Sequence, residues 1–151
     1  MMPNVRQRPP GLMLRALSQM IRSRLGTRLS EIGLTVTWYA VLNVLERGEA
    51  QTGADLSRHF RTDPTAITRT IDRLDEAGLV KREKHRTDRR RLIIVLTPKA
   101  RQLMPTAHSF AGENENLFFG VLGEHERQVF EALLVKLVDN AGRVVSLIDW
   151  E

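Results

Sequence analysis

The stretch from Lys81 to Thr97, KREKHRTDRRRLIIVLT, constrains the fold more than any other part of this 151-residue chain. Seven of its first eleven residues are basic, and only Glu83 and Asp88 are acidic. These eleven residues therefore carry +5, which equals the formal net charge of the whole protein. An apolar run from Leu92 to Leu96 follows, so the stretch predicts a β-hairpin with a long basic tip. Such a tip adds nothing to a core but suits an extended polyanionic partner.

The segment before the hairpin, residues 63–80, carries start and stop signals for a helix. Asp63 can cap its N-terminus, Pro64 suits the first helical position, and Gly78 suits the C-terminal turn. Apolar residues at spacings i, i+4 and i+7 predict one buried stripe: Ile67, Ile71 and Leu74. The opposite face carries hydroxyls and charged groups: Thr65, Thr68, Arg69, Asp72 and Arg73. This face suits the base edges and phosphates of a DNA major groove, although a solvated surface helix is the alternative.

Capping signals also mark the helices around these two segments. The pattern from Leu12 to Leu29 is helical. Either Thr35 or Thr37 can start a second helix, which Gly48 ends. Thr52-Gly53-Ala54-Asp55 resembles a capping box and predicts a short third helix before the helix of residues 63–80.

Prolines and polar residues predict interruptions elsewhere in the chain. Residues 1–11, with prolines at three positions, are expected to form a basic mobile arm that either contacts DNA or stays solvated. Pro98 can begin a further helix, which Pro105 is expected to kink or split. The polar residues 112–116 are expected to bend or loosen the same helix.

The last helical segment, His125 to Ile148, carries a heptad-like seam. Its apolar residues recur at spacings of 4, 3, 4, 3 and 4: Phe130, Leu134, Leu137, Ala141, Val144 and Ile148. Within one chain, the N-terminal helix could cover this seam. The other reading is that the first and last helices of two subunits interdigitate, and this dimer is favoured.

Two linked motifs resemble the winged helix-turn-helix of the MarR (multiple antibiotic resistance regulator) family. The family's wing signature, Asp-x-Arg before an apolar strand ending in Leu-Thr, matches Asp88, Arg90, Leu96 and Thr97. The end of the family's recognition helix matches a second set of residues: Thr68, Arg69, Leu74, Gly78, Leu79, Val80 and Arg82. The motifs lie within residues 52–97, and with the flanking helices the resemblance covers roughly residues 10–150.

The resemblance implies a mainly α fold with a small β-hairpin (α+β), built as a winged helix-turn-helix with N- and C-terminal dimerisation helices. One such domain is expected over residues 1–151. Within it, the winged helix-turn-helix is expected at 35–97 and its wing at 80–97. The dimerisation helices are expected at 10–30 and 123–149.

Several functional classes are excluded by what the sequence lacks. Without cysteine there can be no disulfide, thiolate metal site or cysteine redox sensor. The four histidines are widely spaced, and neither a glycine-rich phosphate loop nor a nucleophile elbow occurs. No apolar run approaches the roughly 20 residues that cross a membrane, and no signal-peptide core is present. We therefore expect a cytoplasmic protein that is no enzyme and needs no cofactor or metal.

The expected function is sequence-specific binding of double-stranded DNA by a homodimer, most simply as a repressor on a pseudo-palindromic operator. The candidate contacts lie on the helix and on the wing: Thr65, Thr68, Arg69, Arg73, Arg86, Arg89, Arg90 and Arg91. For Arg90, two roles stay open, entry into a minor groove and an ion pair with Asp72. A winged helix that binds RNA or protein is the alternative function, and a protein-docking version would more often be apolar on the helix face.

Trp38 and Tyr39 are candidate ligand-binding residues. Aromatic side chains on a helix most often pack in a core. In the MarR family, however, a pocket for small aromatic acids or phenols lies near this helix, between the dimerisation and DNA-binding parts. The resemblance thus implies that a ligand bound there could release the protein from DNA.

Overall fold

The structure is a computed structural model that describes residues 8–147, with side chains described as far as Gly142. Six helices and two strands follow one another in this range: α1 (Pro10–Ser30), α2 (Val36–Glu46), α3 (Gly53–Phe60), α4 (Pro64–Glu76), β1 (Val80–Lys84), β2 (Leu92–Leu96), α5 (Pro98–Phe119) and α6 (Glu124–Leu147). The predicted class, mainly α with a small β-hairpin, is confirmed.

The first helix spans the range expected for the N-terminal dimerisation helix, 10–30, and begins two residues before the helical pattern of Leu12 to Leu29. Pro9 is its N-cap and Pro10 its first residue, so the part of the predicted arm from Pro10 onward is helical. Proline is well suited to this position because its fixed φ matches the helix and its missing N–H has no intrahelical acceptor there. The rest of the predicted arm, residues 1–7, lies outside the described residues.

Side-chain caps define the next three helices. The Thr35 hydroxyl accepts the Trp38 N–H at 3.1 Å, so Thr35 and not Thr37 begins α2. At α3, Thr52 and Asp55 form the predicted capping box, each side chain accepting the other's backbone N–H. The Asp63 carboxylate accepts two backbone N–H groups in the first turn of α4. Each cap satisfies amides that helix geometry leaves without partners.

Contacts divide the chain into two compact units, one through Asn114 and the other from Glu115 onward. The first unit contains a continuous apolar core to which α1 through α5, β1 and β2 all contribute. Its largest fully buried side chains come from six of these elements: Leu29, Val41, Leu42, Leu56, Leu74, Val80 and Met104. The predicted stripe of α4 lies in this core, with Ile67, Ile71 and Leu74 at most 5% exposed.

The hairpin pairs antiparallel, from Val80 opposite Leu96 to Lys84 opposite Leu92. Val80 and Leu96 are buried at its base, and the strands lead outward from there. The Ile94 N–H donates to the Gln51 carbonyl at 2.8 Å, which attaches β2 to the segment before α3. The Thr97 hydroxyl donates to the Gly78 carbonyl at 2.6 Å, which attaches the end of β2 to the end of α4. The wing is therefore fixed to both helices of the helix-turn-helix.

Of the two effects predicted for Pro105, the split is wrong, because α5 continues from Pro98 to Phe119 with Pro105 inside it, and the kink stays a prediction. A proline removes one backbone hydrogen bond and strains the preceding turn. Met104 and Ala107, on either side of it, are fully buried in the core of the first unit. Burial of these neighbours holds the helix together across the proline.

The predicted loosening at residues 112–116 is wrong, because the segment is helical, and the alternative, a bend in the helix, stays a prediction. Asn114, at its centre, is only 5% exposed. Its side-chain amide donates to the Ile21 carbonyl of α1 at 3.2 Å. Polar composition predicted a break here, whereas the asparagine makes a tertiary contact from within a helix.

The second unit contains the end of α5 and all of α6. The rings of Phe119 and Phe130 lie 5.7 Å apart between their centroids. Along the predicted seam, Phe130 and Leu134 are half-buried, Leu137 is 54% exposed, and Ala141 is exposed. The side chains of the last two seam residues lie outside the described range. Further apolar residues of α6 are also exposed: Val129, Leu133, Val135 and Val138.

Candidate nucleic-acid interface

Burial of one side of α4 determines which side faces outward. Because its isoleucines and Leu74 lie in the core, the four predicted contacts on this helix are all exposed. We call them the recognition face: Thr65, Thr68, Arg69 and Arg73. The face consists of hydroxyls and guanidinium groups, which are suited to hydrogen bonds with base edges. It lacks the apolar character expected of a protein-docking face.

The hydroxyl of Thr68 has a defined hydrogen-bond polarity. It donates to the Pro64 carbonyl one turn earlier, at 2.9 Å. Its proton is therefore used within the helix, and only the lone pairs of the oxygen remain for a partner. In a major groove, such an acceptor matches the amino group of adenine or cytosine.

The N-terminus of α4 is occupied by its own cap. Asp63 accepts the N–H groups of Thr65 at 2.8 Å and Ala66 at 3.1 Å. These hydrogen bonds, with the Ala66 amide contributing most, lower the pKa of the Asp63 carboxyl. Helix N-termini often bind phosphate through such amides, but here a carboxylate holds them. The amides of Thr65 and Ala66 are therefore not available to a phosphate group.

The wing tip, residues 85–91, is a compact loop. The His85 N–H donates to the Arg91 carbonyl at 2.8 Å, and the Arg91 N–H donates to the Asp88 carbonyl at 3.0 Å. The Asp88 carboxylate accepts the Arg90 N–H at 3.1 Å. These hydrogen bonds close the loop, and three of its arginines are exposed to solvent: Arg86, Arg89 and Arg90.

Arg82 of β1 joins the wing to the recognition helix. It donates to Asp72 at 2.5 Å and to Asp75 at 3.0 Å, both on α4. The alternative role considered for Arg90, an ion pair with Asp72, is wrong because Arg82 holds this carboxylate. Among the described side chains Arg90 makes no ion pair. Sequence reasoning counted Arg82 only as part of a motif and did not assign it this contact.

Arg91 differs from the other arginines of the tip. Its guanidinium lies 3.5 Å from the carboxylate of Asp55, the capping-box residue of α3. Asp55 also pairs with Arg58, and its side chain is only 19% exposed. Hydrogen bonds, first with Thr52, lower the pKa of Asp55 to about 2. Nothing local in the sequence indicated this contact, which spans 36 positions.

Five predicted DNA contacts have guanidinium groups without a carboxylate partner among the described side chains: Arg69, Arg73, Arg86, Arg89 and Arg90. Two lie on α4 and three on the wing tip. Since ion pairs do not neutralise these charges, they are free to attract an anionic ligand. The nearby carboxylates of Asp55, Asp72 and Asp75 are instead engaged by Arg58, Arg82 and Arg91.

Trp38 and Tyr39 are half-buried and pack against the core of the first unit. The Tyr39 hydroxyl lies 3.1 Å from Nδ1 of His108, whose Nε2 lies 2.7 Å from the Glu46 carboxylate. Burial, and then the charge of Glu46, raises the pKa of Tyr39. A surface pocket of about 500 Å³ is lined by residues of α1 and by Val36, the first residue of α2. Neither Trp38 nor Tyr39 lines this pocket.

Within residues 8–147, no three histidine, aspartate or glutamate side chains lie close enough together to hold a metal ion. No helix of this range is long and apolar enough to cross a membrane.

Comparisons with known proteins give a consistent result. A family model described as MarR family matches residues 32–91. The HTH-type transcriptional repressors Rv2887 of Mycobacterium tuberculosis and Mb2911 of Mycobacterium bovis are each 26% identical over 129 residues. Each match covers 85% of this chain and 93% of the relative.

Solved structures extend the similarity to the fold. A crystal structure of MarR has a TM-score of 0.75 and 27% identity, covering 93% of this chain and 96% of that one. Bordetella bronchiseptica BpsR, in a structure concerning regulation of its DNA binding by 6-hydroxynicotinic acid, has a TM-score of 0.75 and 26% identity. That match covers 91% of this chain and 98% of BpsR. A mutant E. coli MarR complexed with operator DNA shares the fold, with a TM-score of 0.75 and 24% identity over 84% of this chain and 91% of its own.

Proposed function

We propose that the chain is a DNA-binding transcription regulator of the MarR family, whose members are not enzymes, and that it is a homodimeric repressor of a pseudo-palindromic operator. The observation that carries this proposal is the set of five arginines on α4 and the wing tip that have no carboxylate partner in the described part of the chain. The repressors of the two mycobacteria support the direction of regulation. We place its action in the cytoplasm, where chromosomal DNA is accessible, and treat residues 1–151 as one functional domain.

On DNA, α4 would lie in the major groove with its recognition face toward the bases. Arg69 and Arg73 can each form paired hydrogen bonds with a guanine, and Thr68 can accept from an amino group. Arg86, Arg89 and Arg90 of the wing tip would follow the phosphate backbone or enter the neighbouring minor groove. Two such subunits would bind half-sites whose centres lie about 34–36 Å, or a multiple of this, apart.

The dimer would form through the first and last helices of two copies. Apolar side chains of α6 are exposed in the single chain, with Leu137 at 54% and Leu133 at 53%. On α1, Leu12 and Met20 are likewise about half exposed. Leaving such surfaces in water is unfavourable, and a second copy offers matching apolar helices.

A small aromatic acid or phenol is the proposed effector, with Trp38 and Tyr39 as candidate contacts. The regulation of BpsR by 6-hydroxynicotinic acid provides a precedent in a similar protein. To release DNA, the ligand must bind the DNA-free arrangement of the dimer more tightly than the bound one.

A gel-shift titration on the DNA upstream of the protein's own coding region tests this function. We expect one saturable complex that a scrambled duplex of equal length does not compete away, and a salicylate-like acid should weaken it. Arg69→Ala is the matched variant, which should lose preference for the upstream DNA while keeping weak binding to both duplexes. Equal affinity of the wild-type protein for both duplexes would contradict operator recognition, and no effect of the acid would contradict only the effector.

A further inference from the structure

The carboxylate of Asp55 holds two different parts of the molecule. As the capping-box residue of α3, it accepts the N–H groups of Thr52 at 3.0 Å and Gln51 at 3.3 Å. The same oxygen lies 3.5 Å from a guanidinium nitrogen of Arg91, at the base of the wing tip. A capping box needs only the amide of the N-cap residue, Thr52, so the contact with the wing is additional to capping.

Asp55 is held in position by the residues around it. Its side chain is 19% exposed, while that of Arg91 is 51% exposed. Leu56, the next residue, is fully buried in the core. The carbonyl of Gln51 accepts the N–H of Ile94 in β2 at 2.8 Å. Residues 51–55 therefore hold the second half of the hairpin at two points three residues apart, by a backbone hydrogen bond at Ile94 of β2 and by an ion pair at Arg91, the residue just before β2.

The Arg91 side of the contact lies where the wing tip closes. The Arg91 carbonyl accepts the N–H of His85, and the Arg91 N–H donates to the Asp88 carbonyl. Both ends of the loop thus meet at the backbone of Arg91. Fixing the Arg91 side chain fixes the direction in which the loop projects, and with it Arg86, Arg89 and Arg90.

We propose that Asp55 and Arg91 are a positioning pair that aims the wing tip at DNA, and that Arg91 acts through Asp55 instead of binding phosphate. The proposal rests on the proposed function, since it assumes that the wing contacts DNA. It divides the basic tip into three DNA-contacting arginines and one anchoring arginine.

The competing role for Arg91, a direct phosphate contact, predicts an opposite effect of Asp55→Asn. Asparagine keeps an oxygen that can accept the amides of the cap but removes the negative charge that holds Arg91. If Arg91 binds phosphate, losing this charge should tighten DNA binding or leave it unchanged. If Asp55 and Arg91 position the wing, Asp55→Asn should weaken DNA binding.

The experiment is a double-mutant cycle with Asp55→Asn and Arg91→Gln, measured on the upstream duplex at fixed salt. We expect each substitution to lower affinity about three- to tenfold, and the double variant to bind no more weakly than the weaker single variant. Arg58→Gln is the matched control, because it removes the other arginine partner of Asp55 without touching the wing, and it should keep wild-type affinity. Tighter binding by Asp55→Asn, multiplying effects in the double variant, or equal loss in Arg58→Gln overturns the proposal.

Amide hydrogen exchange of the DNA-free protein provides a second readout. The His85 and Arg91 amides should exchange faster in Asp55→Asn and Arg91→Gln, and at the wild-type rate in Arg58→Gln. If the exchange rates of these amides are unchanged in Asp55→Asn and Arg91→Gln, the proposal that the pair anchors the loop is wrong, even if the DNA affinity of these variants falls. If the wild-type protein binds no DNA, the proposed function fails, and the proposal that the pair positions the wing for DNA fails with it. Hydrogen exchange would still show whether Asp55 anchors the loop.

Discussion

Arg82 on β1 donates to Asp72 on α4 across 2.5 Å, so the wing strand and the recognition helix share an ion pair beside the recognition face. Asp72 lies three residues after Arg69 and next to Arg73 in the chain. An unpaired Asp72 could form an (i, i+3) pair with Arg69. We infer that Arg82, by holding Asp72, leaves the guanidinium of Arg69 available for its proposed contact with DNA.

Arg82→Ala should therefore weaken operator binding although Arg82 itself is not a proposed DNA contact. We expect about a fivefold loss of affinity, and a loss of stability of at most about 1 kcal/mol because the ion pair is partly exposed. Adding Asp72→Asn should restore part of the affinity, since it removes the competing carboxylate. Operator titrations and urea unfolding of both variants measure these effects, and wild-type affinity of Arg82→Ala would show that Asp72 does not compete.

Local signals predicted the recognition helix and the hairpin well. Asp63, Pro64 and Gly78 mark the bounds of α4, and its apolar stripe is buried as the spacing indicated. These features depend on neighbours a few residues away, so sequence periodicity contains them. The exposed face of α4 follows directly from its buried face.

Long-range contacts could not be predicted in the same way. The pairs of Arg82 with Asp72 and of Arg91 with Asp55 join residues 10 and 36 positions apart. Neither pair has a periodic signature, and the basic tip looked uniform in the sequence. The predicted split at Pro105 failed for a related reason, because the buried neighbours that preserve α5 come from tertiary packing that overrides a local helix-breaking signal.

We expect substitutions in α4 to change sequence specificity, and substitutions in the wing to change the affinity for any duplex. Arg69→Ala should reduce the preference for operator over random DNA by about 1–3 kcal/mol. Arg89→Ala should instead weaken both duplexes together and make the slope of log affinity against log salt shallower by about 0.9 per lost phosphate contact. Competition titrations at several salt concentrations distinguish the two. An unchanged specificity ratio in Arg69→Ala would remove this residue from base reading.

The pH dependence of stability should include a contribution from Asp55. Its pKa is about 2 in the folded protein and about 3.9 in an unfolded chain. The contribution, about 2 kcal/mol, is therefore present above pH 4 and is lost as pH falls through 2. In urea unfolding at constant protein concentration, the stability difference between wild type and Asp55→Asn should shrink between pH 5 and pH 3. A difference independent of pH would mean that the charge of Asp55 does not stabilise the fold.

Leu137 offers a direct test of the dimer, because its side chain is already 54% exposed in the single chain. Leu137→Asp should cost the isolated chain little, whereas an unpaired charge buried between two subunits costs several kcal/mol. Ala132→Asp is the matched control. Ala132 is exposed and lies two residues from Leu134, about 200° around α6, away from the seam. Sedimentation at micromolar concentration should show a dimer for the wild type and for Ala132→Asp and a folded monomer or unfolded chain for Leu137→Asp. A dimeric Leu137→Asp variant would place the subunit contact elsewhere, and a wild-type monomer would rule out the dimer and the two-fold operator with it.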